Sequence, residues 1–389
     1  MNSYTKWVSM WGNSISIAEH KAETYSRDLT LRYPVYAPFD GDALRFTFDN
    51  YCGTEDVTFS CAYVSLAAGE RQIDPSTAVP ITFGGSKTGV LPAGKTLTSD
   101  EIPFSVQAGS TLCISFYLED FTQMRSATLI TGPLSEGFYS LGNVCLTETL
   151  PQNTTRSTNW FYFLQTIDVR TREENHALIC YGDSITAQDW PDHLMLAFRE
   201  AQIDNVSVIR RAASGTRILR QYECITYESY GLKGSERIPR ELNVSGADTI
   251  LIQQGINDII HPVGLEVNPF RPMSDLPDAA ELIAGFEYYV NQCHQKGLRV
   301  YLGTLLPIYG WRTYAPFRET LKEEINSWLR HTTLAEGCID FDTIVRDQDH
   351  PEAFAPGYDS GDHLHPSKAA YQAMGNAACQ FLIDQWNRL

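Results

Sequence analysis

The sequence predicts an α/β domain preceded by an antiparallel β-sandwich domain. Apolar residues recur with period two up to about residue 168, and from about residue 175 short apolar runs alternate with helical patterns. The length of 389 residues fits two domains at roughly 100–200 residues each. We place a jelly-roll-like β-sandwich at residues 1–170 and the α/β domain at residues 171–389, with the polar bridge TREEN (171–175) between them.

The first half carries its signal in alternation. In ALRFTFDNY, Leu44, Phe46 and Phe48 alternate with Arg45, Thr47 and Asp49. In DVTFSCAY, Val57, Phe59, Cys61 and Tyr63 fall on one face of a strand. TLCISFYL repeats the pattern with Leu112, Ile114, Phe116 and Leu118. Turn signals such as FGGSKTG and LPAGK separate the runs, and no long helical pattern interrupts them.

The second half reads as five buried strands: HALICYGDS, VSVIRRAASG, ADTILIQQGIND, LRVYLGTLLP and GCIDFDTIV. Between the third and fourth, Asp278 is a helix N-cap, Gly297 a stop, and Leu282, Ile283, Phe286, Tyr289, Val290 and Cys293 form an apolar stripe. A second helix starts near Pro316, with Phe317, Leu321, Ile325 and Trp328 on one face, and a last one follows Pro366. Strand–helix alternation predicts a parallel sheet covered on both faces.

Composition excludes some functions. The formal net charge of -17 repels phosphate backbones and anionic lipid headgroups, so nucleic acid and membrane surfaces are not expected partners. No run of about 18 apolar residues exists, and the N-terminus lacks the basic and apolar regions of a secretory leader. The nine cysteines are odd in number and scattered, with Cys113, Cys180 and Cys293 inside apolar patterns; they read as buried thiols in a reducing compartment. These features point to a cytoplasmic protein.

Ligands of an open α/β sheet bind beyond the carboxyl ends of its strands. That rule selects Ser184 after the first strand, Gly215 after the second, Asn257 after the third, and the pair Asp362 and His365 before the last helix. A serine there is a weak nucleophile that needs a base. His365 is placed to take its proton, and Asp362 to orient that imidazole. The N–H groups of Ser184 and Gly215 and the amide of Asn257 are candidate oxyanion donors. Each residue also has a structural reading: Ser184 as a helix cap, Gly215 as a turn residue, Asn257 as a loop amide, Asp183 as a loop anchor. His363 reads as a bystander. A metal site would need further ligands beside DHLH, for which His261 is the nearest candidate, and none is expected, nor any other cofactor.

Gly182-Asp183-Ser184, Gly215 in AASGTR, Gly255-Ile256-Asn257-Asp258 and Asp362-His363-Leu364-His365 occur in order and resemble the four sequence blocks of the SGNH (GDSL) hydrolases. Longer stretches, among them RYPVYAPFDGDALRFTFDNYCGTEDVTF and YDSGDHLHPSKAAYQAMG, resemble an XynE-like bacterial subgroup over nearly the whole chain. The resemblance implies a flavodoxin-like three-layer fold, Ser184 as nucleophile, His365 as base, Asp362 as its partner, and an oxyanion hole of Ser184, Gly215 and Asn257. It also implies a serine esterase removing small acyl groups, chiefly acetyl, from carbohydrate such as hemicellulose oligosaccharides. Lipases, lysophospholipases and thioesterases share the family, and a noncatalytic carbohydrate-binding protein is the rival from another class. Two departures stand out: subgroup members are often secreted, and Gln253-Gln254 before GIND stands where an acidic residue is expected, a change that bears on substrate contacts but touches no triad residue. Arg217, Trp190, Tyr309 and Trp311 are candidates to line a sugar-binding cleft, with packing an equal reading for Trp190. The expected partner is a small-molecule or oligosaccharide substrate. The first domain has three open roles: binding glycan, capping the cleft or forming a homo-oligomer.

Overall fold

A computed structural model describes residues 4–17, 24–222 and 231–387. Parts of the N-terminal stretch inspected for a leader (1–3 and 18–23) therefore lie outside the described residues. The chain divides into two compact units. One comprises Met1–Ala177 with Asp204–Ile209 and Val244–Gly246; the other comprises Leu178–Ile203, Arg210–Asn243 and Ala247–Leu389.

The first unit is built from antiparallel sheets. One orders Lys6–Gly12, Leu164–Thr171, Gly41–Asp49 and Thr96–Thr98, with Ile102–Val106 also paired to Gly41–Asp49. A larger one centres on Leu29–Tyr36, Thr111–Leu118 and Cys61–Gly69. Alternation explains why they stack: Phe48 from the first sheet meets Phe116 from the second with ring centroids 5.6 Å apart, and Phe59 lies 5.2 Å from Phe116. Rings at such spacings add to the burial energy of the core. One expectation fails here. DVTFSCAY is not one strand, because Val57–Phe59 and Cys61–Gly69 are separate strands divided at Ser60. Beyond the break Ala62 and Val64 turn into the core, while Cys61 and Tyr63 become half-buried.

A further five-stranded sheet runs in the order Val206–Ala212, His176–Gly182, Ala247–Gln253, Arg299–Gly303, Gly337–Ile339. Numbered along the chain this is 2-1-3-4-5, the flavodoxin-like doubly wound order. The last three strands pair in parallel register, Ile250 opposite Val300 and Leu302 opposite Cys338. Burial is nearly continuous along Ala247–Gln253 and Arg299–Gly303, as expected where helices cover both faces.

Among the described residues the α-helices are α1 (Ser184–Ala187), α2 (Trp190–Glu200), α3 (Gly234–Glu241), α4 (Ile256–Ile260), α5 (Ala279–Gln295), α6 (Pro316–His331), α7 (Phe341–Val345) and α8 (Lys368–Trp386). At α5 a full capping box forms: Asp278 accepts from the Glu281 N–H and the Glu281 carboxylate accepts from the Asp278 N–H. In α6 the apolar stripe differs from expectation. Leu321 and Ile325 are buried as expected, but Phe317 is 50% exposed, Trp328 is half-buried and Leu329 is buried beside them.

Candidate active site

Three strand ends and one loop supply the site. Strand His176–Gly182 ends at Gly182, and the chain turns immediately into α1. Asp183 caps that single turn, its carboxylate accepting from the Ile185 N–H at 3.0 Å. The turn fixes the next residue, Ser184, at the sheet's carboxyl edge with its side chain only half-buried.

The loop before α8 closes on itself. Asp362 accepts hydrogen bonds from the N–H groups of Leu364 (3.0 Å) and His365 (2.8 Å), a local turn that aspartate favours. It brings position i+3 back onto i: His365 Nδ1 sits 2.6 Å from Asp362 Oδ2. The other ring nitrogen, Nε2, is 2.9 Å from Ser184 Oγ. A carboxylate only accepts, so Nδ1 carries the proton, Nε2 is the acceptor, and the Ser184 hydroxyl donates to it. Residues 181 positions apart thus form one hydrogen-bonded relay. Burial works against the Asp362 charge, but the side-chain and backbone hydrogen bonds from His365 outweigh it and hold the carboxyl well below the usual range.

His363 takes a separate partner. Its Nδ1 lies 2.5 Å from Asp359 Oδ2, and its N–H donates to Asp359 Oδ1. Its backbone sits in the left-handed region at φ 64°, which turns its side chain out of the relay. The ring rests against Gly310, where an added Cβ would fall 2.8 Å from His363 Cγ.

The second and third blocks are tied to the first. Ala213 N–H donates to the Gly182 carbonyl at 3.2 Å, and Gly215 takes φ 76°, a conformation glycine adopts without steric cost. Asn257 donates from its amide to the Thr216 carbonyl at 3.1 Å. Asp258 accepts from the Ile218 and Leu219 N–H groups at 2.8 and 2.9 Å, pinning the turn after Gly215 to α4. Asp183 and Asp258 are both fully buried. Burial pushes Asp183 up to about 7, against the Ile185 N–H bond, and Asp258 up to about 6, against its two backbone donors.

Several supports were not legible in sequence. Arg237, fully buried on α3, donates to the Gly182 carbonyl (3.0 Å), Thr216 Oγ1 (3.1 Å) and the Arg211 carbonyl (2.8 Å). One guanidinium therefore braces the first two strand ends. In SERIPREL it looks like a solvated helix residue; only its i,i+4 spacing from Glu241 hints at a partner.

Other candidates are relocated. Gln253 and Gln254 are fully buried, so they do not line a substrate cleft. Gln254 donates to Thr216 Oγ1 at 2.9 Å and accepts from the Tyr289 hydroxyl at 2.9 Å, a neutral replacement that suits a dry position. Trp190 is fully buried and packs on Phe341 at 5.5 Å. Arg217 is also buried; it pairs with Asp275 at 3.2 Å and lies over the Tyr222 ring. Tyr309, by contrast, is 51% exposed and meets Tyr314 edge-on at 5.1 Å; Trp311 is half-buried in the same loop. His261 bonds the Tyr222 hydroxyl through Nδ1 at 2.7 Å. Among the described residues no group of three or more His, Cys, Asp or Glu is placed to hold a metal ion. Nor is any described helix long and apolar enough to cross a membrane.

Residues 180–373, which contain every member of this arrangement, match the model of the GDSL-like Lipase/Acylhydrolase family. That match and the strand order support a GDSL/SGNH acylhydrolase domain with esterase or acylhydrolase activity. Similar solved structures include the psychrotrophic esterase EstA from Pseudoalteromonas sp., at 16% identity over 55% of this chain and 100% of that one, TM-score 0.38. A GDSL-like lipase from Bacteroides thetaiotaomicron VPI-5482 has 16% identity over 55% and 89%, TM-score 0.36. A catalytic mutant of Axe2, an acetylxylan esterase from Geobacillus stearothermophilus, has 16% identity over 54% and 94%, TM-score 0.39. Comparison with the curated proteins gives no match.

Proposed function

We propose that the protein is a serine esterase that releases small acyl groups, chiefly acetyl, from carbohydrate through an acyl-enzyme on Ser184. The observation that carries this reading is the relay Ser184 Oγ–His365 Nε2 at 2.9 Å and His365 Nδ1–Asp362 Oδ2 at 2.6 Å.

Ser184 Oγ attacks the ester carbonyl while His365 Nε2 takes its proton. Asp362 stays ionised and stabilises the imidazolium. The tetrahedral oxyanion accepts from the Ser184 and Gly215 N–H groups and from Asn257, whose amide has a second N–H beyond the one given to Thr216. His365 then returns the proton to the departing sugar hydroxyl. Water, activated by the same imidazole, frees the acid and restores Ser184.

The sugar preference rests on the XynE-like sequence blocks and on one feature of the site. Gly310 abuts the His363 ring, so the loop bearing exposed Tyr309 runs beside the DHLH segment. Aromatic faces of this kind bind the apolar side of a pyranose by stacking. The first unit is assigned here as an accessory β-sandwich of jelly-roll-like topology.

The test is acetate release from acetylated xylo- and manno-oligosaccharides, with a nitrophenyl ester series from acetyl to long acyl chains. The expected result is activity highest at acetyl and lost in Ser184→Ala. Activity rising with chain length would replace the acetylesterase reading with a lipase or thioesterase.

A further inference from the structure

We infer that Cys61 and Cys145, in the first unit, form a peroxide-responsive thiol pair that closes reversibly to a disulfide. Their Sγ atoms lie 4.0 Å apart, and both thiols are free. A disulfide needs an S–S distance of about 2.05 Å, so the sulfurs must approach by about 2 Å.

The backbone holds each cysteine towards the other. The break at Ser60 turns Cys61 out of the core to a half-buried position at the start of its strand. Cys145 lies on the strap 142–150, which hydrogen bonds fasten at several points. Thr30 Oγ1 donates to the Gly142 carbonyl at 2.6 Å, and Ile73 N–H donates to the Glu148 carbonyl at 2.9 Å. Between them the buried Arg32 guanidinium donates to the carbonyls of Val144 (3.0 Å), Cys145 (3.2 Å) and Thr147 (3.0 Å). Cys145 is thus a buried, positioned thiol facing a more accessible one.

Their chemistry is unequal. Hydrogen bonding with the Cys145 thiol lowers the Cys61 pKa, an effect that burial opposes and the Asn143 amide, 3.5 Å away, reinforces. Cys61 is therefore the thiolate that reacts first, and Cys145 the resolving thiol. With hydrogen peroxide as oxidant, Cys61 Sγ attacks one oxygen and the O–O bond breaks. The departing hydroxide takes a proton to become water, leaving a sulfenic acid. Cys145 Sγ then attacks that sulfur, the S–O bond breaks, and a second water leaves. Two thiols and one peroxide become one disulfide and two waters.

The experiment treats the full chain with hydrogen peroxide, quenches it, denatures it and titrates thiols with Ellman's reagent, then maps peptides without reduction. The expected result is a fall from nine thiols, the full complement of the sequence, to seven, with a Cys61–Cys145 cross-linked peptide that dithiothreitol abolishes. Cys61→Ser should slow thiol loss at least tenfold and remove the cross-link. Cys145→Ser should leave Cys61 trapped as sulfenic acid, captured by dimedone. Peroxide-treated wild type in which Cys61 and Cys145 stay reduced, or oxidise separately without a cross-link, overturns the inference. That reading needs no variant to fold.

Discussion

His365 Nδ1 lies 2.6 Å from Asp362 Oδ2, three positions earlier in the same turn, while its other nitrogen reaches a serine 181 residues away. His363, between them in sequence, is bound to Asp359 instead. The segment DHLH therefore holds one histidine of the relay and one that braces the loop.

This division predicts unequal mutants. His365→Ala should lower kcat by about 10³-fold or more, since only binding and oxyanion donors remain. His363→Asn should keep activity within a few-fold, because asparagine also tolerates the left-handed backbone at this position. Steady-state kinetics on a nitrophenyl acetate checks both.

Asp362→Asn should cost on the order of 10³–10⁴-fold in kcat with little change in KM, because the amide no longer selects the reactive tautomer. The wild-type carboxyl is held well below the usual range, so it stays ionised as pH falls to mild acid. Loss of activity on mild acidification should therefore not come from protonating Asp362, and the wild-type pH–rate profile should show no limb in the ordinary carboxylate range.

Burial of Asp183 gives a stability prediction. Its folded pKa, about 7, lies above the unfolded value of about 3.9, so the protonated form favours folding. That contribution is complete below about pH 4 and is lost as pH rises through 7. Asp258, at about 6, adds to the same decline at lower pH. Asp183→Asn keeps an acceptor for the Ile185 N–H and cannot titrate. It should flatten the fall in unfolding free energy between pH 6 and 7, a slope on the order of 1 kcal/mol per pH unit. Urea melts at the two pH values read it; an unchanged slope counts against the assignment.

Among the proposed oxyanion donors, Asn257→Ala should lower kcat by about 10²–10³-fold. KM should shift far less, since the ground-state carbonyl makes weaker use of this donor.

Tyr309→Ala tests the sugar platform. KM for acetylated oligosaccharide should rise roughly 5–10-fold, in line with loss of one exposed aromatic contact of about 1 kcal/mol. Kinetics on nitrophenyl acetate should stay near wild type. Equal effects on both substrates would remove Tyr309 from sugar binding.

The site was legible in sequence because its residues mark strand ends, where the α/β sheet must place a ligand whatever its chemistry. Ser184, Gly215, Asn257, Asp362 and His365 each follow a buried run or precede a helix. What joins those ends was not legible. Arg237 sits in a helix whose charge pattern reads as solvent-facing, yet three carbonyl and hydroxyl acceptors enclose its guanidinium. The glutamines at 253 and 254 read as a departure bearing on substrate contacts, but both are buried, and Gln254 is held by tertiary hydrogen bonds to Thr216 and Tyr289. In the first unit, alternation located the strands but not the break at Ser60, which shifts the face by one residue without changing the composition.

The central claim is that Ser184 is the nucleophile. The most direct measurement is covalent labelling by a fluorophosphonate, read by intact mass and peptide mapping. The account predicts one adduct per chain on Ser184, parallel loss of esterase activity, and no labelling in Ser184→Ala. Labelling at another serine, or active protein that Ser184→Ala leaves unchanged, would contradict it.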